Sequence, residues 1–107
     1  TMPSDLQTIL AELRHRLERV YASRLVNLVL YGSHARGDAH PEADIDVLVV
    51  LEGPVDASTE IARTEFHVAD LSLAHNAVIT CLFVSREQFE RDQSPLLMNA
   101  RREGVPV

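Results

Sequence analysis

The amino-acid sequence predicts a mixed α/β (α+β) fold, in which helices flank a small mixed β-sheet of about three strands. Three observations lead to this prediction. The segment before residue 24 repeats apolar side chains at helical spacing, three short runs rich in Val and Leu have the length of strands, and a helical segment separates the last two of these runs. The 107 residues have the size of one domain, so we expect a single domain over residues 1–107.

Four helical segments follow from periodicity and capping signals. The first is predicted near residues 5–23 and the second near 58–75, with Asn76 ending it. Ser85 is predicted to cap a short helix, and Ser94-Pro95 to open a last one that stops before Gly104. The second segment carries a wide apolar band: Ile61, Ala62, Phe66, Val68, Ala69, Leu71 and Leu73.

Three strands are predicted near residues 25–31, 45–51 and 77–84. If the first two were parallel, the end of one and the start of the next would lie roughly 20 Å apart, at ~3.3 Å per residue. The connection between them is also short of helical content for a parallel crossover. We therefore predict antiparallel pairing, which brings the end of the first strand next to the start of the second.

Composition excludes several classes of function. The formal charge is −6, which argues against nonspecific binding to nucleic acids, and no apolar run is long enough to suggest a membrane partner. All ten basic residues are arginine, so no P-loop, Schiff-base or kinase-type lysine is available. Cys81 is the only cysteine and no signal peptide is visible, so we expect a cytoplasmic protein without an internal disulfide.

Two carboxylates stand where the second strand begins. Asp44 and Asp46 are two residues apart, so on a strand they project from the same face and repel each other. A cation relieves that repulsion, and carboxylate oxygens suit Mg²⁺. Taken alone, such a pair is more often two ordinary surface aspartates.

The end of the first strand carries a second unusual group. Gly32 allows the backbone to approach a ligand closely, and Ser33 is expected to cap a short helical turn whose N–H groups attract phosphate. Arg36 follows one turn later and can face the same ligand, although each of these residues alone fits an ordinary turn. Together with Asp44 and Asp46 they suit a metal-bound nucleoside triphosphate attacked at its α-phosphate.

The stretch "GSHARGDAHPEADID" resembles the G-S-x(10)-D-x-D signature of the polymerase-β-like nucleotidyltransferase superfamily, and "LYGSHARG" with "ADIDVLVV" resembles its minimal, MNT-type members. The resemblance implies the nucleotidyltransferase fold, ATP as substrate bound by Gly32 and Ser33, and Mg²⁺ bound by Asp44 and Asp46. It also implies an antitoxin that transfers AMP to a tyrosine of a HEPN-domain toxin.

One departure from that family keeps alternatives open. Active members usually carry a third carboxylate on the later strand, but the third predicted strand, "AVITCLFV", contains no acid. The chain is therefore also compatible with a weakened or inactive module that neutralises its partner by binding alone. A third alternative is a nucleotidyltransferase acting on a small molecule such as an aminoglycoside, for which a homodimer would have to supply part of the acceptor site.

Overall fold

The computed structural model describes residues 4–107, with only the backbone of Ser4. Helices and strands alternate along the chain in an order close to the predicted one. The elements are α1 (Ser4–Tyr21), β1 (Leu25–Tyr31), α2 (Ser33–Arg36), β2 (Ile45–Leu51), α3 (Ala57–His75), β3 (Ile79–Ser85), α4 (Arg86–Arg91), α5 (Pro95–Glu103) and β4 (Val105–Pro106), with a 3-10 turn (Ala22–Arg24) between α1 and β1.

The sheet is mixed, as predicted, and has the strand order β3-β2-β1-β4. β1 pairs antiparallel with β2, whereas β2 pairs parallel with β3 through the crossover helix α3. The fourth strand, absent from the prediction, is two residues long and pairs antiparallel with β1. A two-residue segment that contains a proline has no detectable period, so only its pairing with β1 defines it.

Local signals placed the end of α3 and the starts of α4 and α5 correctly, whereas α1, predicted to reach residue 23, ends at Tyr21 because Ala22 adopts a φ of 50°. Ser85 forms the predicted capping box with Gln88, and the Ser94 hydroxyl accepts a hydrogen bond from the Leu97 N–H ahead of Pro95 at the first helical turn. Asn76 ends α3 in the left-handed conformation. These ends orient α4 and α5 on the sheet.

Apolar side chains fill two layers, one on each face of the sheet. Leu13, Leu17 and Leu71 of α1 and α3 pack with inward-facing strand residues on one face. On the other face, Leu97 and Ala100 of α5 pack against alternate strand residues, namely Val29, Leu48, Val50 and Val84. Because side chains alternate along a strand, Asp46 shares its face with Leu48 and Val50 and so lies on the α5 side.

Helix α3 buries polar side chains and exposes apolar ones. Glu60 and Thr64 are 3% and 1% exposed, whereas Phe66 and Leu73 are 71% and 84% exposed. The Glu60 carboxylate accepts hydrogen bonds from the Tyr21 hydroxyl at 2.8 Å and from Arg63 Nε at 2.9 Å. Only part of the predicted apolar band therefore faces the core.

Within residues 4–107, none of the helices combines the length and the apolar character needed to cross a lipid bilayer.

Candidate functional site

The turn after β1 lies directly against β2. Gly32 has φ 76° and ψ −156°, a backbone conformation that is essentially confined to glycine. A Cβ atom at this position would stand 2.7 Å from Asp46 Oδ2, closer than any contact allows. The absence of a side chain at Gly32 thus lets the turn and the acidic strand meet.

Helix α2 begins with Gly32 as its N-cap and Ser33 as its first helical residue. The Gly32 carbonyl accepts hydrogen bonds from the N–H groups of Ala35 at 3.1 Å and Arg36 at 3.2 Å. The expectation that Ser33 itself caps this turn is therefore wrong, because the chain enters the helix one residue earlier. The N–H groups of Ser33 and His34 precede these two bonds and have no acceptor within the helix, which leaves them suited to an anion.

Three side chains form a row across the start of the sheet. Asp46 pairs with Tyr31 on the antiparallel neighbour β1 and with Thr80 on the parallel neighbour β3. Residues opposite each other in a sheet share a face, so all three point toward the α5 side. Asp44 precedes β2 by one residue and is exposed, whereas Asp46 is half-buried.

The electrostatics of this row reflect burial first and neighbouring negative charge second. Burial raises the pKa of Asp46, the charge of Asp44 raises it further, and His34 acts in the opposite direction. Burial likewise raises the pKa of the Tyr31 hydroxyl, with a further contribution from Asp46. A cation at the two aspartates would relieve this repulsion, so the donor chemistry fits Mg²⁺.

The carboxylate pair has no third acidic partner in the described part of the chain. No group of three His, Cys, Asp or Glu side chains suited to a metal occurs between residues 4 and 107. Thr80 occupies the position next to Asp46, while Asp70 and Glu87 lie on α3 and α4, as expected. Substrate oxygens and water would have to complete the coordination shell of a cation held by Asp44 and Asp46.

His34 connects the turn after β1 with the segment that leads into β2. Its Nε2 lies 3.0 Å from the carbonyl oxygen of Ala43, the residue before Asp44. Because a carbonyl oxygen only accepts, Nε2 carries the proton and donates it. His34 is half-buried in this turn. His34 and Ala43 are nine residues apart and belong to no local sequence motif, so the sequence carries no signal for this hydrogen bond.

Arg36 lies beside the turn, but its charge is already engaged. The guanidinium forms ion pairs with Asp38 at 3.3 Å and with Glu103 of α5 at 3.9 Å. It lines a cavity of about 140 Å³ together with Tyr31, Gly32, Leu96, Asn99, Ala100 and Glu103. A phosphate at Gly32 would compete with two carboxylates for this arginine, so its predicted role requires a change of partners.

Comparison with known proteins agrees with this geometry. Residues 7–101 match the family described as "Nucleotidyltransferase domain". Over 80 residues the chain is 31% identical to "Putative protein adenylyltransferase MJ0604" of Methanocaldococcus jannaschii, covering 75% of this chain and 74% of that protein. A second M. jannaschii protein of the same description, MJ0141, is 34% identical over 48 residues, which is 45% of this chain and 48% of that protein.

Solved structures share the fold. A nucleotidyltransferase structure from Sulfolobus solfataricus superposes with a TM-score of 0.61 at 18% identity, covering 99% of this chain and 87% of that one. A toxin–antitoxin structure with AMP-PNP gives 0.60 at 23% identity, covering 86% and 67%. The turn at Gly32 and the aspartates beside it agree with the family match over residues 7–101. This chain therefore belongs to the nucleotidyltransferase domain family.

Proposed function

We propose that this nucleotidyltransferase is an antitoxin that transfers AMP from ATP to a tyrosine of a HEPN-type toxin, with Mg²⁺ as its cofactor. The observation that carries the proposal is the contact of the Gly32 backbone with the Asp46 carboxylate. This contact gives one ligand access to backbone N–H groups and to a carboxylate pair. A metal-bound triphosphate needs both at once.

Each residue of the site has a distinct task in this proposal. Gly32 and Ser33 bind phosphate oxygens through backbone N–H groups at the start of α2, while Asp44 and Asp46 hold the cation. When bound, Mg²⁺ supplies positive charge that offsets the charge of the triphosphate. Arg36 joins the phosphates after leaving Asp38 and Glu103, and Tyr31 closes the site on its β1 side.

The reaction needs no covalent enzyme intermediate. The acceptor oxygen of the toxin tyrosine forms a bond to the α-phosphorus, the bond from that phosphorus to the bridging oxygen breaks, and pyrophosphate leaves. The hydroxyl proton passes to water, because Thr80 rather than a carboxylate stands next to Asp46. Without a third acid the reaction is expected to be slow.

Two comparisons support the choice of a protein acceptor. The M. jannaschii relative is described as a protein adenylyltransferase, and the AMP-PNP structure is described as a toxin–antitoxin. A further neighbour, described as the toxin–antitoxin MntA-HpeT, is 24% identical with a TM-score of 0.57. The HEPN class of the partner rests on the resemblance of the G-S-x(10)-D-x-D motif.

A labelling experiment tests the proposal. The chain is incubated with ATP, Mg²⁺ and the protein encoded beside its gene, and that protein is weighed by intact-mass spectrometry. We expect addition of one adenylate, and a rate at least about a hundredfold lower for the double variant Asp44→Asn, Asp46→Asn. Glu42→Gln, which removes an exposed charge two residues before Asp44, is the matched control and should keep the wild-type rate. Equal labelling by the double variant would refute the assigned site.

A second candidate function is neutralisation of the partner by binding alone. Thr80 favours it, because a threonine hydroxyl at this place neither holds a cation as a carboxylate does nor accepts the acceptor's proton readily. This candidate predicts a stable complex without nucleotide and full protection of cells by the Asp44→Asn, Asp46→Asn variant. Transfer of labelled AMP to the partner by the wild-type chain would exclude binding alone.

A further inference from the structure

Four apolar side chains form a row along the solvent-facing side of α3. We call Ala62, Phe66, Ala69 and Leu73 the α3 stripe; all four are exposed, Phe66 by 71% and Leu73 by 84%. Their spacings of four, three and four residues place them on one helix face, as in the seam of a coiled coil. A contiguous apolar row of this kind on a surface helix is a candidate interaction site.

The stripe lies on the opposite side of α3 from the residues that face the core. The inward row contains Glu60, Thr64 and Leu71, each two residues before a member of the stripe, which corresponds to roughly half a turn of rotation. Packing against the sheet therefore does not explain why the outer face is apolar. A partner on the outer face would explain it.

The order of large and small side chains fits an identical helix as that partner. In an antiparallel pairing with an identical helix, Phe66 meets the partner's Ala69 and Leu73 meets the partner's Ala62. Every layer then combines one large and one small residue, which fills a seam evenly. A parallel pairing would instead stack Phe66 on Phe66 and leave the alanine layers empty.

We propose that a second copy of this chain covers the α3 stripe, in a symmetric dimer with antiparallel α3 helices. Arg63 and Asp70 support this arrangement, because both follow a stripe residue directly and so flank the same edge of the seam. In the antiparallel pair, Arg63 lies near the partner's Asp70 and carries the opposite charge. Within the chain Arg63 pairs with Glu60 and Asp70 pairs with Arg16, so a contact across the seam would share these partners. The two-fold axis makes each such contact occur twice.

The dimer leaves the α5 side of the candidate site accessible. Asp46 and Thr80 lie on the α5 side of the sheet, whereas α3 packs on the other side. Leu73 also lines a cavity of about 770 Å³ with His34 and Ala43, so one end of the stripe borders the loop before Asp44. A dimer would present two sites to acceptors at once. A seam of four residues per helix is short, so the dimer is expected to be weak and to dissociate on dilution.

Sedimentation equilibrium over a concentration series tests the dimer. Wild-type protein should shift from monomer to dimer as the concentration rises, and Phe66→Glu should raise the dissociation constant at least about tenfold. Met98→Glu is the matched control, because Met98 is an exposed apolar residue on α5, 44% accessible, and should leave the constant unchanged. A monomer at every concentration, or equal effects of both variants, would overturn the proposal.

Exchanging the sizes of the side chains at positions 66 and 69 distinguishes this specific interface from nonspecific hydrophobic association. Ala69→Phe makes the surface more apolar, yet it places Phe against Phe in both central layers and should weaken the dimer. Combining it with Phe66→Ala restores one large and one small residue per layer and should restore association. Stronger association of Ala69→Phe alone, or no recovery in the double variant, would contradict the antiparallel seam. Coverage of the stripe only by a different protein would contradict it as well.

Discussion

Gly32 and Asp46 are in contact across β1 and β2: a single added Cβ at Gly32 would fall 2.7 Å from Asp46 Oδ2. This relationship decides the geometry of the site. It explains why a glycine stands at the end of β1, since the backbone conformation and the space both exclude a side chain. It also places backbone N–H groups beside a carboxylate whose pKa is raised.

Replacing Gly32 by alanine should damage both stability and nucleotide binding. The added Cβ would displace Asp46 and strain the turn, at a cost of roughly 1–3 kcal/mol. We expect a lower midpoint in urea and the loss of Mg²⁺-ATP binding by calorimetry. Gly53→Ala is the matched control, because Gly53 has a similar φ of 81° but no atom within 4 Å of the added Cβ. It should cost stability without affecting nucleotide binding; equal binding losses in both variants would contradict this account.

Removing the His34 side chain should loosen the loop before Asp44. His34→Ala loses the hydrogen bond to the Ala43 carbonyl, worth about 1 kcal/mol, so the dissociation constant for Mg²⁺-ATP should rise roughly fivefold. Hydrogen exchange of the amides between residues 38 and 44 should become faster. His34→Gln keeps an N–H donor and should recover part of both effects. Unchanged exchange in His34→Ala would show that this bond does not position the loop.

An added carboxylate at Thr80 should strengthen cation binding. Thr80→Asp places a third acid next to Asp46, and the affinity for Mn²⁺, followed by electron paramagnetic resonance, should rise roughly tenfold. Without metal, the third negative charge should lower the free energy of unfolding by up to about 1 kcal/mol. Thr80→Asn, of similar size and uncharged, should show neither change. If Thr80→Asp leaves Mn²⁺ affinity at the wild-type level, the cation does not bind at this row.

Glu60 should make stability depend on pH in acid. Burial alone would raise its pKa, but hydrogen bonds from Tyr21 and Arg63 bring the pKa below the ordinary value of 4.5. As the pH falls, the Glu60 carboxylate is therefore protonated in the unfolded chain before it is protonated in the folded chain. The stabilisation is complete above about pH 4.5 and is lost as the pH falls through the lowered pKa of the folded state.

Glu60→Gln tests this dependence by urea unfolding at several pH values. The variant should be less stable than wild type by about 1–3 kcal/mol at pH 7, and the difference should shrink below about pH 4.5. Glu65→Gln, an exposed change on the same helix, should stay within about 0.5 kcal/mol of wild type. If Glu60→Gln lowered the free energy of unfolding equally at every pH, the charge of Glu60 would not be the cause of the loss.

Local patterns predicted the elements of the fold closely. The strands at 25–31 and 45–51 were predicted with their observed bounds, and α3 begins one residue earlier than predicted. The third strand was predicted to begin at 77 but starts at Ile79. Val and Leu are enriched in strands wherever they are buried, so composition alone cannot mark the first paired residue.

By itself, the sequence determined the helices, the first three strands, the antiparallel pairing of the first two strands and the motif that unites Gly32 with Asp44 and Asp46. These depend on residues close together in the chain. Only the tertiary structure decided that Thr80 stands beside Asp46, that His34 holds Ala43, and that Phe66 and Leu73 face solvent. Strand register, and the choice of which helix face is covered, depend on contacts between residues far apart in the chain, and no local pattern encodes those contacts.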